Sequence, residues 1–171
     1  MGTNHMGRQS IRFPQPPVVR GFASVAGKKE REGPLGDQFT ATVQDTTFGE
    51  KSWERAERRM QQMTLELALE KAGLTDADLD AAFAGDLLNQ CIGSSFSLRN
   101  RGVPTLGLYG ACSTMAESLL LAAMSVSGGY ARTALAMTSS HFASSERQYR
   151  FPLGYGGQRT PTSQWTVTGA G

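Results

Sequence analysis

Two cysteines and two histidines in 171 residues leave little from which to build a metal centre or a disulfide framework. Cys91 and Cys112 stand apart from each other and from His5 and His141, with no Cys-x-x-Cys or Cys/His spacing of the kind a zinc site needs. No metal site is expected, and a reducing interior suits the chain. Long apolar runs are lacking too. Leu119 to Met124 falls well short of the roughly 20 residues that span a bilayer. Met1 to Met6 has neither the apolar core of a signal peptide nor an amphipathic pattern, and it reads as a cloning remnant outside the fold. No signal peptide or transmembrane segment is expected, and membrane association is expected only peripherally, through a partner. Charge of one sign is also missing. The 17 Lys and Arg against 15 Asp and Glu leave +2, scattered along the chain, which argues against a nucleic-acid partner.

What is present suffices for one substantial domain, since a chain of this length buries roughly 70% of its unfolded surface. Residues 1–17 form a disordered or extended arm, because Pro14, Pro16 and Pro17 remove donors from any regular pattern. The domain then runs over 18–171. Val18 to Ala26 favours a strand, and Gly27 to Gln38 reads as an exposed loop. Trp53, Ala56, Met60, Met63 and Leu67 recur every three or four residues from Ser52, and Gly73 supplies a stop, so an amphipathic helix lies between. Thr75 starts a further helical turn, with Asp76 and Asp78 suited to its dipole. Strands are expected at Ala81 to Gly85, Pro104 to Tyr109, Arg132 to Thr138 and Gln164 to Thr168. Asn89 to Asn100 is a weak helix, and Ala111 to Val126 a helix buried on most sides. Helices alternating with short apolar strands predict a layered α/β domain with a mostly parallel central sheet. The chain ends directly after a strand and looks truncated at 171.

The segment Tyr109-Gly110-Ala111-Cys112-Ser113-Thr114 passes from strand through a glycine turn into a helix, with a thiol at the turn. Such an elbow favours negative charge through unpaired N–H groups and the helix dipole, which suits either a nucleophilic thiolate or a bound carboxylate. The opposite reading is a small hydrophobe in a packed helix. The small residues Gly110, Ala111, Ser113 and Ala116 favour a site, because they let backbone approach a ligand. Cys91 is taken as structural.

Three strings make the sequence recognisable: Gly110 to Ser118 (GACSTMAES), Thr138 to Phe142 (TSSHF) and Glu146 to Pro152 (ERQYRFP). With Pro161 to Gly169 (PTSQWTVTG) and Ala84 to Gln90 (AGDLLNQ), they resemble the stage V sporulation protein AD family, over nearly all of the chain beyond the arm. The resemblance implies a thiolase-like fold, of which this chain supplies one N-terminal βαβαβαββ half. In thiolase-like enzymes that half carries the nucleophilic cysteine, here Cys112, and histidine or asparagine partners come from the second half. It further implies a spore protein, peripheral to the inner membrane and homodimeric. Such a protein works with the membrane subunits of the SpoVA channel and binds dipicolinic acid, alone or with calcium, for uptake in sporulation and release in germination.

Dipicolinate is a planar pyridine with two carboxylates, so it needs cationic forks or N–H donors and an apolar wall. The stretch from His141 to Arg150, read as a loop, offers His141, Arg147 and Arg150. Ser139 and Ser140 follow a strand end, where ligands of α/β sheets bind. Asp86 is a calcium-side ligand, a pocket acid or a strand-end cap. The plain alternatives are a solvated Arg147, Arg150 and Glu146 cluster, a structural His141 and a core Trp165. The competing function is a thioester acyltransferase with Cys112 as nucleophile and coenzyme A as carrier, His141 being the only histidine partner in this half. A third is a channel subunit with a vestigial pocket.

Overall fold

The computed structural model describes residues 4–149, 162 and 165–171. A small antiparallel hairpin pairs β1 (His5–Met6) with β2 (Ser10–Ile11), turning at Gly7 with φ of +68°. The arm therefore holds one regular element, upstream of the prolines that exclude ladder hydrogen bonds.

The domain is built on a six-stranded sheet in the order β4-β3-β8-β7-β5-β6. Its strands are β3 (Val25–Ala26), β4 (Ala41–Thr42), β5 (Ala81–Gly85), β6 (Thr105–Leu108), β7 (Ala134–Ser140) and β8 (Gly169–Ala170). β8 alone runs against its neighbours β3 and β7; the other pairs are parallel. The helices are α1 (Lys28–Arg31), α2 (Trp53–Ala72), α3 (Ile92–Leu98), α4 (Thr114–Ser127) and α5 (Phe142–Tyr149). The sequence β3, α2, β5, α3, β6, α4, β7, β8 is the βαβαβαββ order, with α1, β4 and α5 as additions.

α2 forms because its apolar residues share one face and both ends are capped. The Ser52 hydroxyl accepts from Arg55 N–H at 3.3 Å, and Gly73 takes the left-handed cap at φ of +65°. Its inner face buries Ala56, Met60, Leu65 and Leu69. Strand alternation then sorts the sheet's two faces. Ala82, Ala84 and Met137 pack with Leu65 and Leu69 under α2 and α3. Phe83 packs with Leu108 and Ala122 under α4, joined by Ala134 and Ala136. Gly85 lies where a side chain has no room: a Cβ there would overlap the Leu108 carbonyl and press on Thr114.

Several boundaries differ from the sequence reading. Gly27 to Gln38 contains α1 and a 3-10 turn at Gly36–Gln38 rather than only loop. α4 is buried on one side, with Leu119, Leu120 and Met124 about half exposed, because only one of its faces meets β5 and β7. The last strand is Gly169–Ala170, beyond the expected one; Gln164 lies outside the described residues. The stretch after His141 is helical, not a loop, and its first turn is closed by Ser145 N–H donating to the His141 carbonyl at 3.0 Å. No helix among the described residues is long and apolar enough to cross a membrane.

Candidate functional site

Cys112 sits in a 3-10 turn, Ala111–Ser113, between the end of β6 and the start of α4. The turn is tied by Ser113 Oγ donating to the Gly110 carbonyl at 2.8 Å and by Gly110 N–H donating to Thr114 Oγ1 at 3.2 Å. Ala111 is forced to φ of +50°, a region that alanine seldom occupies. Strain of this kind is maintained only where the surroundings over-determine it, and Cys112, the residue that follows, is exposed.

The thiol opens on a cleft of about 470 Å³. Thr138, Ser139 and Ser140 form one wall at the end of β7, the β8 stretch Gly169–Gly171 another, and Phe39, Leu87, Met115 and Val167 the apolar sides. Thr138 and Ser140 alternate with Ala136 onto the α4 side of the sheet, and Ser139 with Met137 onto the α2 side. Ser139 and Ser140 are therefore paired strand residues, opposite Ala170 and Gly169, and not the loop after a strand end.

Of the sequence candidates, the cleft gathers Cys112, Ser139 and Ser140. The Ser139 hydroxyl points away from the cleft, donating to Glu57 Oε1 at 2.8 Å and accepting from Gln61 Nε2 at 2.7 Å. Asp86 is buried behind it. Its Oδ2 accepts from Ser94 N–H and Ser94 Oγ, both at 2.7 Å, and its Oδ1 from Leu88 N–H at 2.9 Å. These bonds hold its carboxyl group just after β5 against the first turn of α3. His141 is fully buried beside Trp53, Phe48 and Phe142, with Nε2 on the Thr46 carbonyl. Arg147 forms an ion pair with Glu54 and lines a separate shallow groove with Thr47 and Lys51. Arg150 lies outside the described residues.

Trp165 is half exposed, not core, and donates from Nε1 to Glu30 Oε1 at 2.9 Å beside a second cavity of about 400 Å³. Cys112 does not line that cavity, so its chemistry belongs to the larger cleft. Cys91 is buried, donates from Sγ to the Leu108 carbonyl at 3.1 Å, and has its pKa pushed up mainly by burial, with Asp86 adding to it. Among the described residues no group of His, Cys, Asp and Glu is arranged to hold a metal.

The residues that sequence reasoning missed are Glu57 and Gln61, both fully buried. Their spacing of four on the inner face of α2 was the available signal, beside Ala56 and Met60. Burial raises the Glu57 pKa to about 7, against the lowering effect of its two serine donors and with a smaller contribution from Asp86.

Two solved structures share the architecture. The priming β-ketosynthase of the R1128 polyketide pathway superposes with a TM-score of 0.55 at 17% identity, over 94% of this chain and 51% of that one. The 3-oxoacyl-[acyl-carrier-protein] synthase III of Aquifex aeolicus VF5 gives 0.54 at 16%, over 89% and 51%. At such identities these likenesses establish the thiolase-like fold. Stage V sporulation protein AD of Bacillus subtilis (strain 168) is 44% identical over 165 residues, 96% of this chain and 49% of the relative. The chain thus spans about half the length of that relative. The family profile "Stage V sporulation protein AD" matches residues 7–171, and the chain belongs to this family of sporulation proteins.

Proposed function

We propose that the protein binds dipicolinate in the Cys112 cleft, alone or with calcium, for its uptake into the forming spore and its release in germination. It does so as a homodimer docked on the membrane subunits of the SpoVA channel. Family membership carries this reading, and the cleft's chemistry supports it. Phe39, Leu87, Met115 and Val167 suit a pyridine ring, and the hydroxyls of Thr138 and Ser140 suit carboxylates. None of the described lining residues is cationic, so the wall's hydroxyls serve as hydrogen-bond donors to the carboxylates rather than as counter-charges.

A second reading, thioester acyl transfer, is favoured by one observation: the exposed Cys112 follows a strained residue at a strand-to-helix elbow, in a fold shared with ketosynthases. His141 does not serve it within this half, because both ring nitrogens are engaged elsewhere. Calorimetric titration of dipicolinate, with and without calcium, into the chain and its Cys112→Ala and Thr138→Val variants separates the readings, beside mass spectrometry after mixing with acyl-coenzyme A. Saturable binding weakened in the variants supports the receptor. An acyl adduct on Cys112 with no dipicolinate binding replaces it with the transferase.

A further inference from the structure

The cavity of about 400 Å³ beside Trp165 is built differently from the Cys112 cleft, and among the described residues the two share only Thr166. Its wall joins two segments far apart in sequence. Glu30 Oε1 accepts from Trp165 Nε1–H at 2.9 Å and from Thr168 N–H at 3.1 Å, and Gly27 N–H donates to the Thr168 carbonyl at 2.8 Å. Gly27 permits that closure, since a Cβ there would stand 2.9 Å from Thr168 Cγ2 and 3.1 Å from Glu30 Oε2. The indole is thereby fixed by its polar edge, yet it is 44% exposed and has no ring partner among the described residues. Phe142, stacked on His141 at 5.0 Å, is still 36% exposed and lines the same cavity. Two aromatic side chains held in place thus border a space of the size that small ligands occupy.

Lys28, Lys29, Glu30 and Glu32 also line the cavity. Their charges cancel in number but not in availability. The Glu30 carboxylate is turned to the two N–H donors named above, and Glu32 lies 3.6 Å from Lys29. Lys28 has no carboxylate within ion-pair distance among the described residues, so its ammonium is the lining charge left to a ligand. One available cation beside two acids disfavours a polyanion such as a phosphate ester and suits a single carboxylate. The geometry points to a second ligand site, in which a flat aromatic ring bearing one carboxylate lies against Trp165 and Phe142 while the carboxylate meets the Lys28 ammonium. Ring contact provides most of the attraction, and the ion pair, at an exposed lysine, mainly sets the orientation. The site does not rest on the dipicolinate reading, which concerns the other cavity.

The test is an NMR titration of the chain with 2-naphthoate, read at the two indole N–H signals, which Trp165→Phe assigns to Trp53 and Trp165. Saturable movement of the Trp165 signal supports the site when its Kd is weakened at least about fivefold in Lys28→Gln, is restored in Lys28→Arg and is unchanged in Thr138→Val. Two further probes divide the contacts. 2-Naphthamide keeps the ring without the charge and cyclohexanecarboxylate the charge without the aromatic ring, and each should bind at least about fivefold more weakly than 2-naphthoate. Lys28 is exposed, so Lys28→Gln should fold as wild type does, and overlay of the remaining amide signals checks this. A Trp165 signal that does not respond to 2-naphthoate, or a Kd equal in wild type and Lys28→Gln, overturns the inference. Equal affinity for naphthoate and naphthamide overturns the ionic contact. Dipicolinate titrated into the same samples keeps the two readings apart. Binding weakened by Thr138→Val with the Trp165 signal unmoved supports the cleft reading alone. Binding that moves the Trp165 signal and ignores Thr138→Val supports the second site and overturns the cleft reading. Absence of dipicolinate binding beside a full naphthoate response overturns the receptor reading and leaves the second site standing.

Discussion

The Nε2 of His141 lies 2.8 Å from the carbonyl oxygen of Thr46, while its Nδ1 accepts from Ala143 N–H at 3.3 Å. Together these contacts hold a neutral imidazole with its proton on Nε2. A second proton would fall on Nδ1, opposite an N–H donor. Burial lowers the pKa, and the Thr46 contact opposes it only partly. The ring is stacked on Phe142 at 5.0 Å and tilted against Trp53 at 5.5 Å, so it ties α2 to α5 as a core residue. His141→Ala should lower unfolding free energy by about 2–4 kcal/mol, from lost packing and an orphaned carbonyl. The alkylation rate of Cys112 in the same variant should stay within about twofold of wild type. Denaturant melts and a thiol-reagent time course check both; a strong fall in Cys112 reactivity would make His141 its base.

Two buried groups give opposite pH slopes of stability. The folded pKa of Glu57 lies above its unfolded value, so its contribution is complete below about pH 4.5 and is lost as pH rises through about 7. The full loss is about 3 kcal/mol, at 1.36 kcal/mol per pKa unit. For His141 the folded pKa is lowered from 6.5, so stability is complete above that value and falls as pH drops below it. Thermal melts should show a component of stability that falls between about pH 4.5 and about pH 7, and that component should be abolished in Glu57→Gln. Persistence of the slope in that variant would assign it to another group.

Much of this arrangement is legible in the chain. The stripe through Ala56 and Met60 with the Ser52 and Gly73 ends defines α2, because local caps and periodicity agree there. Cys112 at the strand-to-helix turn is equally visible, since its signals are adjacent in sequence. What stays hidden depends on contacts between distant residues. Ser139 and Glu57 are 82 positions apart and Trp165 and Glu30 are 135 apart, and neither pattern has a local cause. Arg147 reads as a carboxylate grip from its composition alone; α5, not a loop, turns it toward Glu54. On that geometry Arg147→Ala should leave dipicolinate titration unchanged within error, and a lost isotherm would place the ligand along α5.

The two cysteines should separate cleanly by reactivity. Cys112 is exposed, whereas Cys91 is buried, donates to Leu108 and has a raised pKa. A thiol reagent in excess should modify one site on the native chain and both in denaturant. Cys112→Ala should leave none reactive in the native state. Fast modification of Cys91 would mean that α3 opens readily.

The outward face of α4 carries the last prediction. Leu119 is 50% exposed and Leu120 and Met124 are each 44% exposed, on the helix that follows the cleft's thiol. Single exposed apolar residues are ordinary, but three within six positions on one helix make a contiguous patch. The isolated chain should therefore self-associate in a concentration-dependent way. Leu120→Glu paired with Met124→Lys, at spacing i to i+4 in the favourable order, should suppress this association while changing unfolding free energy by less than about 0.5 kcal/mol. Light scattering across a dilution series checks the first part and denaturant melts the second. If the pair of substitutions leaves association untouched, the contact lies elsewhere, and the half-exposed Leu106 on the outer strand β6 is the next position to change.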